Sequence, residues 1–443
     1  MEGITFVPGI MGCRLELDGE VVWPPTPAEA KLGYRRIAKL SDHRAVATGV
    51  IERVWCFPIY ERVIADLGSI ASGALGVPKA QFVPFHYDWR VDIREASAAL
   101  ADHLDGMIAN GCTSLSVVAH SMGGLVARYF IESGQFEDRL SWPCVTRLMT
   151  VATPHRGAPV ALVRALGLEG TSGLSGTDTK TLAANPRFPS LYQLFPERGL
   201  VIARQPMGGG LTAMDIYEDE VAATLQLSTE NLRAAEELRA ALGADRRPMH
   251  VAYTAVAATG HRTATGVDLR DGMAERAVQD GNAGDGAVPL WSSVLTDAIH
   301  HYAPGEHNKV LRERQFRNQL YTWFGAQLPA EGYTAADGRP AISVSVNQMS
   351  YRRGEEIDVL LTPAAPAERI QLELRLLEAE DPRRPPADAG RIGAVEWSGG
   401  VTHQLRVGLR APDRAGAFLL TADGATHSTA TDDDRAVFTV SEE

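Results

Sequence analysis

The sequence is short of several things, and each shortage excludes something. Only four cysteines stand among 443 residues: Cys13, Cys56, Cys112 and Cys144. They form no CxxC pair and no metal-ligand spacing, which argues against a disulfide scaffold and against a zinc or iron–sulfur site. Reduced thiols are expected, with Cys112 and Cys144 beside strands. No window holds about 18 consecutive apolar residues, so no membrane-spanning helix is expected. The opening MEGITFVPGIMG has neither the basic segment nor the apolar core of a secretory signal. With the cysteine usage, this leads to an expected cytoplasmic location. Positive charge is scarce too, 43 Lys and Arg against 55 Asp and Glu, a formal net charge of -12. That speaks against nucleic acid as a partner and against simple electrostatic adhesion to anionic lipid. Peripheral membrane contact through apolar residues stays open.

What is present is an ordinary globular composition, 45% apolar and 22% charged, in a chain long enough for two domains. Residues 1–328 alternate β-branched runs with helical patterns. ITFV (4–7), QFVPF (81–85), SLSVVA (114–119), CVTRLMTVAT (144–153) and MHVAYTAVAA (249–258) read as strands. Ile93 to Ala109 and Leu125 to Glu132 read as helices. Strands separated by helices predict βαβ units and a mostly parallel sheet, an α/β catalytic domain. Residues 160–248 break the rhythm, being Gly- and Leu-rich, then helical near 216–242, without a clear strand. They are expected to cap the carboxyl edge of the sheet. The irregular stretch 18–55, with Trp23-Pro24-Pro25 and Trp55, is a second candidate lid. From 329 to 443 six period-2 strand segments (341–348, 356–362, 369–378, 403–410, 416–422, 436–440) predict an all-β sandwich of immunoglobulin-like type. DPRRPPADAG (381–390) reads as a loop.

The chemistry starts at AHSMGG, where a strand pattern turns into a helix pattern. A small-x-Ser-x-Gly turn at that place is the nucleophile elbow of α/β-hydrolases. The turn strains the serine backbone and lifts Oγ above the sheet. Positions two residues away must be small, because strand and helix approach closely; Ala119 and Gly123 meet that need. Ser121 is therefore the candidate nucleophile. A serine needs a base, and the base an acid, following it in the order Ser, acid, His. Asp285, between two glycines in AGDGAVP, is the candidate acid, with Asp280 as the alternative. His307, in PGEHNKVL before a helix, is the candidate base, with His300 and His301 as alternatives. His120 is expected to pack behind the elbow and His155 to be structural. Backbone amides of Met122 and of Ile10, in the FVPGIMG turn, are the candidate oxyanion donors.

With those residues in view, the chain resembles the lecithin:cholesterol acyltransferase-like family of α/β-hydrolases, which includes lysosomal phospholipase A2 and phospholipid:diacylglycerol acyltransferases. The matching pieces, in order, are FVPGIMG, Tyr87-Asp88-Trp89-Arg90, AHSMGG, ATPHRGAP, AATGHRT, GDGAVP and GEHNKVL. The resemblance implies Ser121, Asp285 and His307 as catalytic residues and Ile10 and Met122 as oxyanion amides. It also implies a place near the site for Asp88 and Trp89, which shape the substrate pocket or form an Asp88–Arg90 pair under a packed Trp89. The sandwich is not part of the usual family architecture.

The expected activity is a serine esterase acting on acyl lipids, phospholipase-like, through an acyl-serine intermediate and without metal or cofactor. The alternatives are a lipid O-acyltransferase with the same triad, an esterase for a non-lipid ester, a regulated phospholipase effector with a protein partner on the sandwich, and a non-enzymatic binding protein. Apolar cap residues (Leu162, Val163, Leu166, Leu168, Leu174, Leu182, Leu191, Leu194, Phe195) are expected to hold an acyl chain or to pack the cap onto the body.

Overall fold

A computed structural model describes residues 1–55, 57–204, 211–244, 246–270, 273–327, 342–363, 366–379, 386–424 and 435–441. Cys56 and the 328/329 boundary expected between the domains lie outside these residues.

Six parallel strands form the central sheet. Their order across it is Ile299–Pro304, Ala252–Thr259, Val145–Val151, Ser114–His120, Glu2–Val7 and Gln81–Phe82. The first strand of the chain sits between the second and the third. The order therefore reverses beside Ser114–His120, and the carboxyl ends of strands open a crevice at such a switch point. Along Leu115–Ala119, Leu115, Val117 and Ala119 join the apolar cluster on one face and Val118 the cluster on the other. Both faces are covered, as an all-parallel sheet requires. Ile93–Ala109 and Met122–Glu132 lie on the first face. Glu61–Ala71 and Arg314–Trp323 lie on the second. The latter buries Phe316, Leu320 and Tyr321, at i, i+4 and i+5. The body is an α/β-hydrolase fold.

Three expectations about the body need correction. The stretch 160–248 does contain strands, Val201–Arg204 and Leu211–Met214. They extend a hairpin, His261–Arg270 with Met273–Gly284, into a four-stranded sheet. That hairpin separates Ala252–Thr259 from Asp285. It buries His261, Thr263, Ala264, Val267, Asp268 and Val278, a mix of polar and small residues, and its register shifts at three places, so its period-2 signal in the sequence is weak. The stretch 18–55 is not irregular: Cys13–Leu17, Glu20–Trp23 and Val46–Val50 form a small antiparallel sheet. The parallel partner expected over 81–85 is regular only over Gln81–Phe82, although Val83 N–H and Phe85 N–H still donate to Ile4 O and Phe6 O at 3.0 and 2.9 Å on either side of Pro84, which an edge strand tolerates.

The C-terminal region is an all-β sandwich, with eight strands among the described residues where six were expected. One sheet holds Ile342–Val346, Glu356–Pro363 and Leu405–Arg410; the other holds Ser350–Arg352, Ala436–Ser441, Gly416–Gly424, Ala367–Glu378 and Ala387–Thr402. Ser350–Arg352 pairs parallel with Ala436–Ser441 while the other pairings are antiparallel. A first strand split between two sheets, with a parallel pairing to the last strand, is the immunoglobulin-like arrangement. The loop expected at 381–390 is corrected over 387–390, which open the long strand Ala387–Thr402; 381–385 are outside the described residues. That strand is mostly exposed and rich in Gly, so neither burial nor propensity marks it in the sequence.

Candidate active site

Ser121 sits between the strand Ser114–His120 and the helix Met122–Glu132, with φ 54° and ψ -127°. Non-glycine residues rarely adopt this region. The turn is held by Ser121 N–H donating to Val151 O at 2.9 Å and Gly124 N–H to Ser121 O at 3.0 Å. The small-residue requirement is visible atom by atom. A Cβ at Gly123 would lie 2.4 Å from Val7 O, one at Gly124 2.1 Å from Thr153 Oγ1, and one at Gly9 2.8 Å from Ser121 Cβ.

His307 Nε2 is 2.8 Å from Ser121 Oγ, and His307 Nδ1 is 2.8 Å from Asp285 Oδ2. Asp285 is fully buried. Its other oxygen accepts from Ala287 N–H at 2.9 Å and Val288 N–H at 2.6 Å, while its carbonyl accepts from His307 N–H at 3.0 Å. The carboxylate is thus fixed in place and aimed at one imidazole nitrogen. Burial of His307 opposes its protonation, but the charge and hydrogen bond of Asp285 and the charge of Glu306 outweigh it and raise its pKa above the ordinary value. Asp280 lies exposed on the hairpin, and His300 accepts from Leu295 N–H on the edge strand. None of Asp280, His300 or His301 lines the cavity above Ser121.

The two candidate oxyanion positions flank the serine. Met122 is the first helical residue, and Ile10 follows Gly9 in the turn after Glu2–Val7. Neither backbone N–H has an acceptor among the described residues. Orphan N–H groups at a helix start favour negative charge.

His120 does more than pack. It is buried, and burial with the neighbouring His307 lowers its pKa to about 3. A neutral ring has one donor, and the His307 carbonyl 2.9 Å from Nε2 can only accept. The proton is therefore assigned to Nε2, so Nδ1 accepts from Tyr60 O–H at 2.9 Å. Tyr60 O in turn accepts from Gly9 N–H at 3.0 Å. A buried chain from Gly9 through Tyr60 and His120 to the His307 carbonyl ties the Ile10 turn to the loop of the base. The sequence reading missed Tyr60, which sits just before a helix and carries no motif signal. His155 is structural: buried, it bonds Arg128 and Thr150, and burial beside Arg128 keeps its pKa well below the ordinary value.

A cavity of about 170 Å³ opens above Ser121, lined mainly by apolar side chains. Trp23, Pro24, Pro25 and Trp55 of the early segment line it, as do Leu182, Leu191 and Leu194 of the cap. The other six apolar cap residues named above do not. Trp89 lines it too, its indole N–H donating to Cys13 O at 3.1 Å. Asp88 does not; it forms a bidentate pair with buried Arg90, whose guanidinium also holds the Leu40, Asp42 and Ala45 carbonyls. Arg164 lines the cavity, and its Nε is buried without a partner among the described residues. Burial lowers its pKa, against the opposing pull of Glu169 and Glu306. Glu169 lines the same cavity, and burial raises its pKa. The free thiols Cys13, Cys112 and Cys144 take no part. No helix among the described residues is long and apolar enough to cross a membrane.

Residues 57–225 match the family described as lecithin:cholesterol acyltransferase. That stretch includes Tyr87-Asp88-Trp89-Arg90, Ser121 and most of the cap, and it ends before Asp285 and His307. A comparison with curated proteins returns no match. Among solved structures, mature Bacillus licheniformis lipase BlEst2 is similar at 13% identity over 73% of this chain and 92% of that one, with a TM-score of 0.35. The lin2722 gene product of Listeria innocua is similar at 12% identity over 75% and 96%, with a TM-score of 0.32. Aspergillus fumigatus lipase B is similar at 14% identity over 68% and 44%, with a TM-score of 0.31. Scores this low carry neither mechanism nor substrate across.

Proposed function

From a chain whose residues 57–225 resemble the lecithin:cholesterol acyltransferase family, we infer a serine hydrolase that cleaves acyl esters of lipids through an acyl-Ser121 intermediate. The observation that carries this reading is the continuous hydrogen-bonded line Ser121–His307–Asp285 at the floor of an apolar cavity. Ser121 Oγ attacks the ester carbonyl while His307 Nε2 takes its proton. Asp285 orients the imidazole and stabilises its charged form. The Ile10 and Met122 amides receive the oxyanion, each such donor being worth about 3–4 kcal/mol. His307 returns the proton to the leaving alcohol. Water, or an acceptor alcohol in a transfer reaction, then enters by the same path and releases the acyl group.

Arg164 favours a phospholipid over a neutral ester. It remains charged in any accessible environment, it lines the cavity, and its Nε has no partner among the described residues. Glu169 and Glu306 share the cavity with it, and a substrate phosphate is a fitting partner for the Nε that they leave unbonded.

The test is labelling of the full chain with a fluorophosphonate probe, followed by a substrate panel of phospholipid vesicles, triacylglycerol emulsion and short-chain esters. Ser121 is expected to be labelled, and Ser121→Ala to lose both label and turnover. Phospholipid is expected to be the preferred substrate, with that preference reduced about tenfold in Arg164→Met. A folded protein in which Ser121 stays unlabelled would sink the hydrolase reading. Equal turnover of neutral and phosphorylated esters in wild type and Arg164→Met would sink the phospholipid reading alone.

A further inference from the structure

The immunoglobulin-like region does not stand apart from the site. Its chain leaves one sheet at Val346 and enters the other at Ser350. The crossing residues Asn347, Gln348 and Met349 line the cavity above Ser121, and Phe438 of the last strand lines it with them. The crossing is held by hydrogen bonds. Buried Asn347 accepts through Oδ1 from Tyr351 O–H at 2.7 Å and Asp358 N–H at 3.1 Å, and Thr439 N–H donates to Met349 O at 2.9 Å. Met349 is thereby presented to the cavity on a fixed backbone, with Asn308, the neighbour of the base, touching its sulfur.

The same region grips the loops of both triad partners. Ser345 Oγ accepts from Glu306 N–H at 3.0 Å and lies 2.6 Å from His261 Nε2. Lys309 Nζ donates to Ser343 Oγ and Val344 O. On the acid side, a Cβ on Gly286 would sit 2.1 Å from the Asn347 carbonyl. The residue before His307, the second residue after it and the residue after Asp285 are all seated against one sandwich edge.

We propose that the sandwich is part of the catalytic unit: Met349 forms a wall of the acyl-binding cavity and selects acyl-chain length, and Ser345 is a positioning residue for the His307 loop. The proposal rests on the hydrolase reading above. An apolar wall discriminates by fit, each methylene changing specificity by about 10-fold or somewhat more. A base loop displaced by a fraction of an ångström loses turnover rather than binding.

The experiment uses the full chain and a series of p-nitrophenyl esters from two to sixteen carbons. Met349→Trp narrows the cavity. It is expected to lower kcat/KM for the longest esters by about tenfold relative to the shortest, and Met349→Ala to shift the preference the other way. Ser345→Ala is expected to lower kcat about tenfold with KM little changed, and Ser345→Thr, which keeps the hydroxyl, to restore it. Fluorophosphonate labelling of wild type is the separate control for the hydrolase reading. If wild type labels and turns over, an unchanged chain-length profile in both Met349 variants overturns the wall. An unchanged kcat in Ser345→Ala overturns the positioning role. Folding is checked by thermal melting; should Met349→Trp not fold, Met349→Ala decides the first point alone.

Discussion

At the scale of single residues the site is a set of constraints on one imidazole. His307 must be neutral to take the proton of Ser121, and its pKa is raised by Asp285 and Glu306 against the effect of burial. Activity is therefore present above that raised pKa and is lost as pH falls through it. Asp285→Asn removes the larger of the two negative neighbours. The acid limb of kcat/KM is expected to move to lower pH, while residual turnover drops by about 10⁴ for want of the oriented, charge-stabilised base. A pH–rate profile of the variant checks this; an unmoved limb would mean that Glu306, not Asp285, sets the base. His120 and His261, with pKa values lowered by burial to about 3, stay neutral across that range and do not confuse the reading. Tyr60 offers a second test. Tyr60→Phe leaves the Gly9 amide and His120 Nδ1 unpaired in a buried place, which costs about 1–3 kcal/mol. Denaturant unfolding should show that loss, and kcat should fall with it, because the same atoms tie the Ile10 turn to the His307 carbonyl.

At the scale of elements, the decisive contact is the crossing of the helix Met122–Glu132 over the strand Glu2–Val7. No side chain fits between them at Gly123, where even a methyl group meets Val7 O and Pro8 O. Gly123→Ala is expected to push helix and strand apart at a cost of about 1–3 kcal/mol, and to lower turnover far more than stability, since both candidate oxyanion amides lie on the separating pieces. Thermal melting beside kcat measures the two effects; a variant that loses stability but keeps full turnover would show that the amides do not need this spacing. The elbow was legible in the sequence because its rules are local: small residues at fixed offsets around Ser121, between a β-branched run and a helical one. The hairpin over 261–284 was not, because half-buried strands of small and polar residues alternate too weakly to register. Tyr60 was illegible for another reason, since its partners are 51 and 60 residues away in the chain.

At the scale of the whole molecule, the sandwich and the body share buried polar contacts. His261, Ser345, Glu306 and Lys309 are all buried at that junction. Buried polar groups that satisfy one another across a boundary lose those partners if one side opens first. Calorimetry of the full chain is accordingly expected to show a single cooperative transition. Two well-separated transitions would mean that the junction contributes little.

The chain order of Ser121, Asp285 and His307, the parallel α/β plan and the all-β character of the C-terminal region follow from the sequence by itself. They rest on periodicity, small-residue spacing and turn chemistry, which act over a few residues. Which acid meets which histidine, what His120 bonds, and which of nine apolar cap residues face the cavity were decided only by tertiary packing. So was the least expected feature, a sandwich loop at Met349 lining the same cavity as a serine more than two hundred residues earlier. Such contacts depend on how sheets stack and where loops converge, and no local pattern encodes a meeting of that kind.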